Sequence, residues 1–174
     1  MIKLNDPIDA YRRLIEASEI GPDPCQETAI TKLQELHEAL SSYGEQMGKS
    51  GWMARLSLGR SKPPPPKGLY MWGGVGRGKS MLMDLFYENT AVAERKHVHF
   101  HAFMQEVHKR LHAFRETQKA GKVSRSSDPL AALARVIADQ GWLLCFDEFH
   151  VTDIADAMIL GRLFEALFEY GVVA

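Results

Sequence analysis

What the chain lacks narrows its function first. No apolar run approaches the roughly 18 residues that a membrane-spanning helix needs, and the opening Met1-Ile-Lys-Leu-Asn-Asp6 shows neither a signal-peptide core nor an Arg/Ser-rich transit pattern. The expectation is a cytoplasmic protein without a membrane span. Charge of one sign is also missing: 21 Lys and Arg stand against 22 Asp and Glu, a formal net charge of -1. Without a basic field, nothing in bulk charge supports a nucleic-acid or anionic-membrane partner. Cysteine is scarce. Cys25 and Cys145 are the two present, far apart and without metal-ligand spacing, which excludes a disulfide framework and suits a reducing compartment. What remains, 45% hydrophobic and 25% charged over 174 residues, is the composition of about one globular domain with an appendage.

One stretch carries chemistry at once. Leu69, Tyr70, Met71 and Trp72 form a short apolar run that predicts a strand, and it empties into Gly73-Gly74-Val75-Gly76-Arg77-Gly78-Lys79-Ser80. That spelling is G-x-x-x-x-G-K-S, the phosphate-binding loop. Glycines let the backbone turn its N–H groups inward onto phosphate oxygens. Lys79 supplies charge toward the β- and γ-phosphates, and Ser80 offers its hydroxyl to Mg²⁺. Met81, Leu82, Leu85 and Phe86 follow at helical spacing, so the positive end of a helix faces the anion. A plain flexible glycine turn would leave the Lys-Ser register unexplained. Gly73 to Met81 are therefore the candidate nucleotide-binding residues, with ATP and Mg²⁺ as the expected ligands.

The second motif is Trp142-Leu-Leu-Cys-Phe-Asp147-Glu148. Four apolar residues followed by two acids describe a buried parallel strand whose C-terminal end presents carboxylates, where open α/β sheets bind ligands. Asp147 is the candidate Mg²⁺ ligand together with Ser80, and Glu148, with Lys79, is the candidate catalytic residue, orienting or polarising the attacking water. The stretch between Lys79 and Asp147 leaves room for two further β–α units.

Around these motifs, Asp6-Pro7 starts a helix to about Glu19, and Asp23-Pro24 starts a second, with Gln26 at the capping-box position. Ile30, Leu33, His37, Leu40 and Met47 give that second helix one apolar face, read as core packing in preference to a partner surface. From Gly48 to Lys67 the pattern fades and ends in Pro63-Pro64-Pro65-Pro66, a stiff spacer. The expected division is a helical segment over 1–62 and the phosphate-loop domain over 63–174. Lys96 to Phe103 reads as a second strand, Met104 to about Gln118 as a helix, and Pro129 to about Gln140 as another. His97, His99 and His101 alternate along that strand, and His108 and His112 stand one turn apart on the following helix. A metal site is one reading, but without nearby cysteine and with few acids, polar faces are preferred. Asp153 caps a helix to Gly171, after which Gly-Val-Val-Ala174 begins another strand. A strand cut that short suggests a fragment of a longer protein.

Three phrases carry a resemblance: the loop from Gly68 to Phe86, His99-Phe-His-Ala-Phe-Met-Gln-Glu-Val-His108, and Cys145-Phe-Asp-Glu-Phe-His-Val-Thr-Asp-Ile-Ala-Asp-Ala-Met-Ile-Leu160. They resemble the ZapE family of AAA+ ATPases, which includes a bacterial cell-division ATPase and mitochondrial AFG-type relatives. The likeness covers most of the chain from Lys67 on. It implies a three-layer αβα AAA+ core with a parallel sheet behind a helical N-terminal segment, ATP hydrolysis at the interfaces of a homo-oligomer, and, in bacterial members, association with FtsZ. It also implies a sensor residue, an arginine finger and a helical lid beyond Ala174. Two alternatives stand beside it: a nucleotide-gated binding module close to helicase loaders, and a nucleic-acid helicase, since Asp147-Glu148-Phe149-His150 fits D-E-x-H.

Overall fold

The computed structural model describes residues 6–54, 64–124 and 126–174. They divide into two compact units, one up to Ala93 and one from Glu94 on. The expected boundary at 62/63 lies outside the described residues.

In the first unit, Pro7 opens α1 (Pro7–Glu16), where its missing N–H costs nothing. The helix ends three residues before the expected Glu19 because Ser18 takes a left-handed turn (φ 60°), and the Glu19 N–H closes on the Leu14 carbonyl at 2.9 Å. Asp23 then caps α2 (Pro24–Ala54), accepting the Cys25 N–H at 2.8 Å. Ile30, Leu33, Leu36, His37, Leu40 and Tyr43 bury one stripe of α2. Tyr11 of α1, together with Leu82, Met83 and Phe86 of α3 (Lys79–Asn89), is buried in the same unit, where the three helices pack on one another. The expected core-packing face of α2 is thus present from Ile30 to Tyr43; the side chain of Met47 lies outside the described residues.

The second unit is an α/β layer. Strand β1 (Arg95–His99) runs parallel to β2 (Leu143–Asp147), in register from Arg95 opposite Leu143 to His99 opposite Asp147. Parallel strands need a crossover, here α4 (Phe100–Lys119) and α5 (Pro129–Ala138). After α6 (Ile154–Glu169) the chain returns to the sheet. The Val173 N–H donates to the Trp142 carbonyl (2.7 Å), and the Leu144 N–H to the Val173 carbonyl (2.8 Å), so β2 is bonded on both sides. Leu163 and Leu167 of α6 are fully buried against Leu130, Leu133 and Ala134 of α5, Val107 and Leu111 of α4, and Leu144 of β2. An α/β fold with a parallel sheet was expected, and the sheet among the described residues is small.

Three further expected elements differ. Leu69–Trp72 is irregular rather than a strand, with Tyr70 69% and Trp72 83% exposed. A strand exists by its ladder, and this run has none among the described residues. The second strand ends at His99 instead of running to Phe103, because Phe100, Met104, Val107 and Leu111 form a stripe with helical spacing and are all buried. His101 therefore leaves the strand and bonds Gln105 one helical turn on, at 3.0 Å. The helix from Pro129 also stops at Ala138, short of Gln140.

Candidate nucleotide site

The loop after Trp72 is shaped by glycine where the chain needs it. Gly76 and Gly78 both take positive φ (75° and 81°), a region that costs any residue with a Cβ. Gly78 ends the loop as the N-cap of α3, its carbonyl accepting the Leu82 N–H at 3.0 Å. The first turn of α3 lies beside the loop, and the helix dipole adds positive potential there. Lys79, the first residue of α3, folds its ammonium back over the loop, donating to the Gly73 carbonyl at 3.0 Å and the Gly74 carbonyl at 2.8 Å. Val75 stands fully exposed at the loop tip, Ser80 is exposed and Met81 half-buried. Beside the loop a cleft of about 470 Å³ opens, lined by Cys25, Thr28 and Lys32 from α2, by Tyr70 and Trp72, and by Lys79. A glycine-rich loop at a helix N-terminus with one ammonium seated on it fits a polyphosphate.

One feature here escaped sequence reasoning. Gln26 does not close a capping box onto α2. Its amide reaches the Arg77 carbonyl at 3.2 Å, while Asp23, the cap of α2, also pairs with the Arg77 guanidinium at 3.1 Å. The Asp-Pro signal at the helix start was legible; a partner about fifty positions away leaves no local pattern.

In the second unit, Asp147 ends β2 and is half-buried, and its Oδ1 accepts the N–H of Glu148 at 2.9 Å. Glu148 itself is exposed and holds φ at +54°, the left-handed region that non-glycine residues avoid. The next side chain explains how that turn is fixed. Phe149 packs into an aromatic cluster, its ring centroid 4.5 Å from Phe100, 5.9 Å from Phe146 and 6.1 Å from Phe164. The chain swings off the strand so that Phe149 goes inward and the Glu148 carboxylate outward. Such strain in a non-glycine residue is a recurrent mark of functional positions. On the same strand Cys145 is buried, and burial pushes its thiol up to about 12, which leaves it inert.

The histidines separate. His97 and His99 stay on β1 with rings 5.9 Å apart, and His108 of α4 pairs with Asp156 of α6 at 2.7 Å. Among the described residues no three His, Cys, Asp or Glu side chains come together as a metal-holding group. Ser80 belongs to the first unit and Asp147 to the second. A Mg²⁺ ion is not at odds with this, since it is held chiefly by phosphates and water with one or two protein oxygens.

A glycine loop ending in Lys-Ser at a helix N-terminus, in a chain whose parallel strand ends on two acids, is the arrangement of a P-loop NTPase. The comparison with known families makes this specific: the chain belongs to the AFG1-like ATPase family, whose sequence model matches residues 6–174. It is 39% identical to the cell division protein ZapE of Escherichia coli over 95% of its own length. It is likewise 36% identical to lactation elevated protein 1 homolog B of Danio rerio over 94%, and 38% identical to an uncharacterized protein of Schizosaccharomyces pombe over 97%. The chain spans 40 to 44% of the length of these relatives. No solved structure matches it. No helix among the described residues is long and apolar enough to cross a membrane.

Proposed function

We propose that this chain binds ATP through Gly73–Met81 and forms the nucleotide-binding part of an ATPase that remodels a protein partner. Lys79 over the Gly73 and Gly74 carbonyls, at the N-terminus of α3, is the observation that carries the reading. On this view the loop N–H groups hold the phosphates. Lys79 exchanges its two carbonyl acceptors for phosphate oxygens, a charge-assisted contact stronger than the one it leaves. Ser80 and Asp147 are the residues that would hold Mg²⁺, and the ion would lower the charge that the attacking water meets at the γ-phosphate. Glu148 accepts a hydrogen bond from that water and orients it.

The architecture that goes with this proposal is a three-layer αβα AAA+ core over 63–174 behind a helical segment over 1–62, acting in the cytoplasm as a homo-oligomer. The name of the Escherichia coli relative supports a role in cell division, with FtsZ as the partner to test first. The test of the mechanism uses the whole-length protein: Glu148→Gln should keep ATP affinity and cut turnover by about a hundredfold or more, the scale of a lost general base. Wild-type turnover in that variant would remove Glu148 from the mechanism.

A further inference from the structure

The phosphate loop is held from behind by the two helices that precede it. Tyr11 of α1, 2% exposed, donates its hydroxyl to Gln26 Oε1 at 3.3 Å, and Gln26 Nε2 donates to the Arg77 carbonyl at 3.2 Å. Asp23 divides its carboxylate: Oδ1 caps α2 at the Cys25 N–H, and Oδ2 meets the Arg77 guanidinium at 3.1 Å. Both contacts converge on Arg77, between the two left-handed glycines. At Gly78, a Cβ would stand 2.8 Å from Gln26 Nε2, so the amide is packed onto the loop backbone.

The chemistry at position 26 is restrictive. The Arg77 carbonyl can only accept, so it takes the amide's N–H end and leaves Gln26 Oε1 to the Tyr11 hydroxyl. A peptide is planar and trans, so its C=O and N–H point in opposite directions. With the Arg77 carbonyl turned to Gln26, the Gly78 N–H of the same peptide must point away from Gln26.

We infer that Gln26, held by Tyr11 and backed by Asp23, is a positioning residue of the phosphate loop: it locks the Arg77–Gly78 peptide in the orientation that commits the Gly78 N–H to the nucleotide's phosphate. This deepens the proposed function and rests on it. A consequence is linkage between the α1–α2 hairpin and the nucleotide. Whatever affinity the hairpin gives the nucleotide, the nucleotide returns as stability of the hairpin, by the same factor.

The test uses the 174-residue chain with Mg-ADP as the probe, affinity read by calorimetry and hairpin order by amide hydrogen exchange. Gln26→Met keeps the side chain's length and removes both hydrogen bonds; Gln26→Glu keeps the bond from Tyr11 but sets a carboxylate against the Arg77 carbonyl. Each should weaken Mg-ADP about fivefold to tenfold, the worth of one or two hydrogen bonds. Mg-ADP should slow exchange in α1 and the first turns of α2 in the wild type and do so less in Gln26→Met. Tyr11→Phe removes one oxygen and no volume, and should weaken binding about twofold to fivefold; it serves if Gln26→Met does not fold. Wild-type affinity in both Gln26→Glu and Tyr11→Phe would overturn the inference, as would equal protection of the hairpin in wild type and Gln26→Met. Absence of Mg-ADP binding by the wild type would instead defeat the nucleotide reading itself, and the inference with it.

Discussion

Glycine at position 148 should make the protein more stable while disabling it. At an ordinary exposed site, glycine is less stable than alanine by about 0.5–1 kcal/mol, because it loses more backbone freedom on folding. Glu148 is not ordinary, since its φ of +54° costs any residue with a Cβ about 1–2 kcal/mol. Glycine removes that cost and adds back its own entropy, which leaves Glu148→Gly about 0.5–1 kcal/mol more stable than Glu148→Ala. The exposed carboxylate contributes little to either comparison. For a chain of this length the difference is about 1–4 °C in melting temperature. Urea and thermal unfolding without nucleotide, on the wild type and both variants, would measure it. If Glu148→Gly were instead less stable than Glu148→Ala by the usual amount, the left-handed turn would carry no strain and the positioning argument at Phe149 would fall.

Two further outcomes follow from the packing. At pH 8 a thiol-alkylating reagent should label Cys25 in the native protein and Cys145 only after unfolding, because burial raises the Cys145 thiol to about 12 and leaves almost no thiolate; mass spectrometry showing both labelled at similar rates would contradict the buried strand. Asp128 accepts the Leu130 N–H at 2.9 Å as the cap of α5 and pairs with Arg162 of α6 at 3.0 Å, so Asp128→Ala should cost about 1 kcal/mol in urea unfolding, whereas a change below about 0.3 kcal/mol would show the cap to be idle.

The features that were legible in sequence are those fixed by neighbours along the chain. Gly76, Gly78 and Lys79 are dictated by local backbone and charge, and Pro7, Pro129 and Asp153 mark helix starts by their own hydrogen-bonding chemistry. What misled was pattern without its partner. Leu69 to Trp72 has the composition of a strand, yet a strand is made by a ladder, and this run has none among the described residues. Alternating His97, His99 and His101 suggested a longer β1, while the buried stripe from Phe100 to Leu111 decided for helix. At the candidate site, Asp147 and Glu148 were readable as acids at a strand end, but the left-handed turn depends on where Phe149 finds its aromatic neighbours. The contacts of Gln26 and Asp23 with the loop were unreadable for the same reason, since their partner Arg77 is remote in sequence.

The central claim is that the loop from Gly73 to Met81 holds the phosphates of a nucleotide, and calorimetry of Mg-ATP with the wild type and Lys79→Ala tests it most directly. Lys79 contributes the side-chain ammonium seated on the loop, and hydrogen bonds to charged groups are worth about 1.5–3 kcal/mol. The wild type should bind at a single site, and Lys79→Ala should weaken that binding by about tenfold to a hundredfold. Equal affinity in the two proteins would contradict the assignment of the loop, and with it the account of how this chain works.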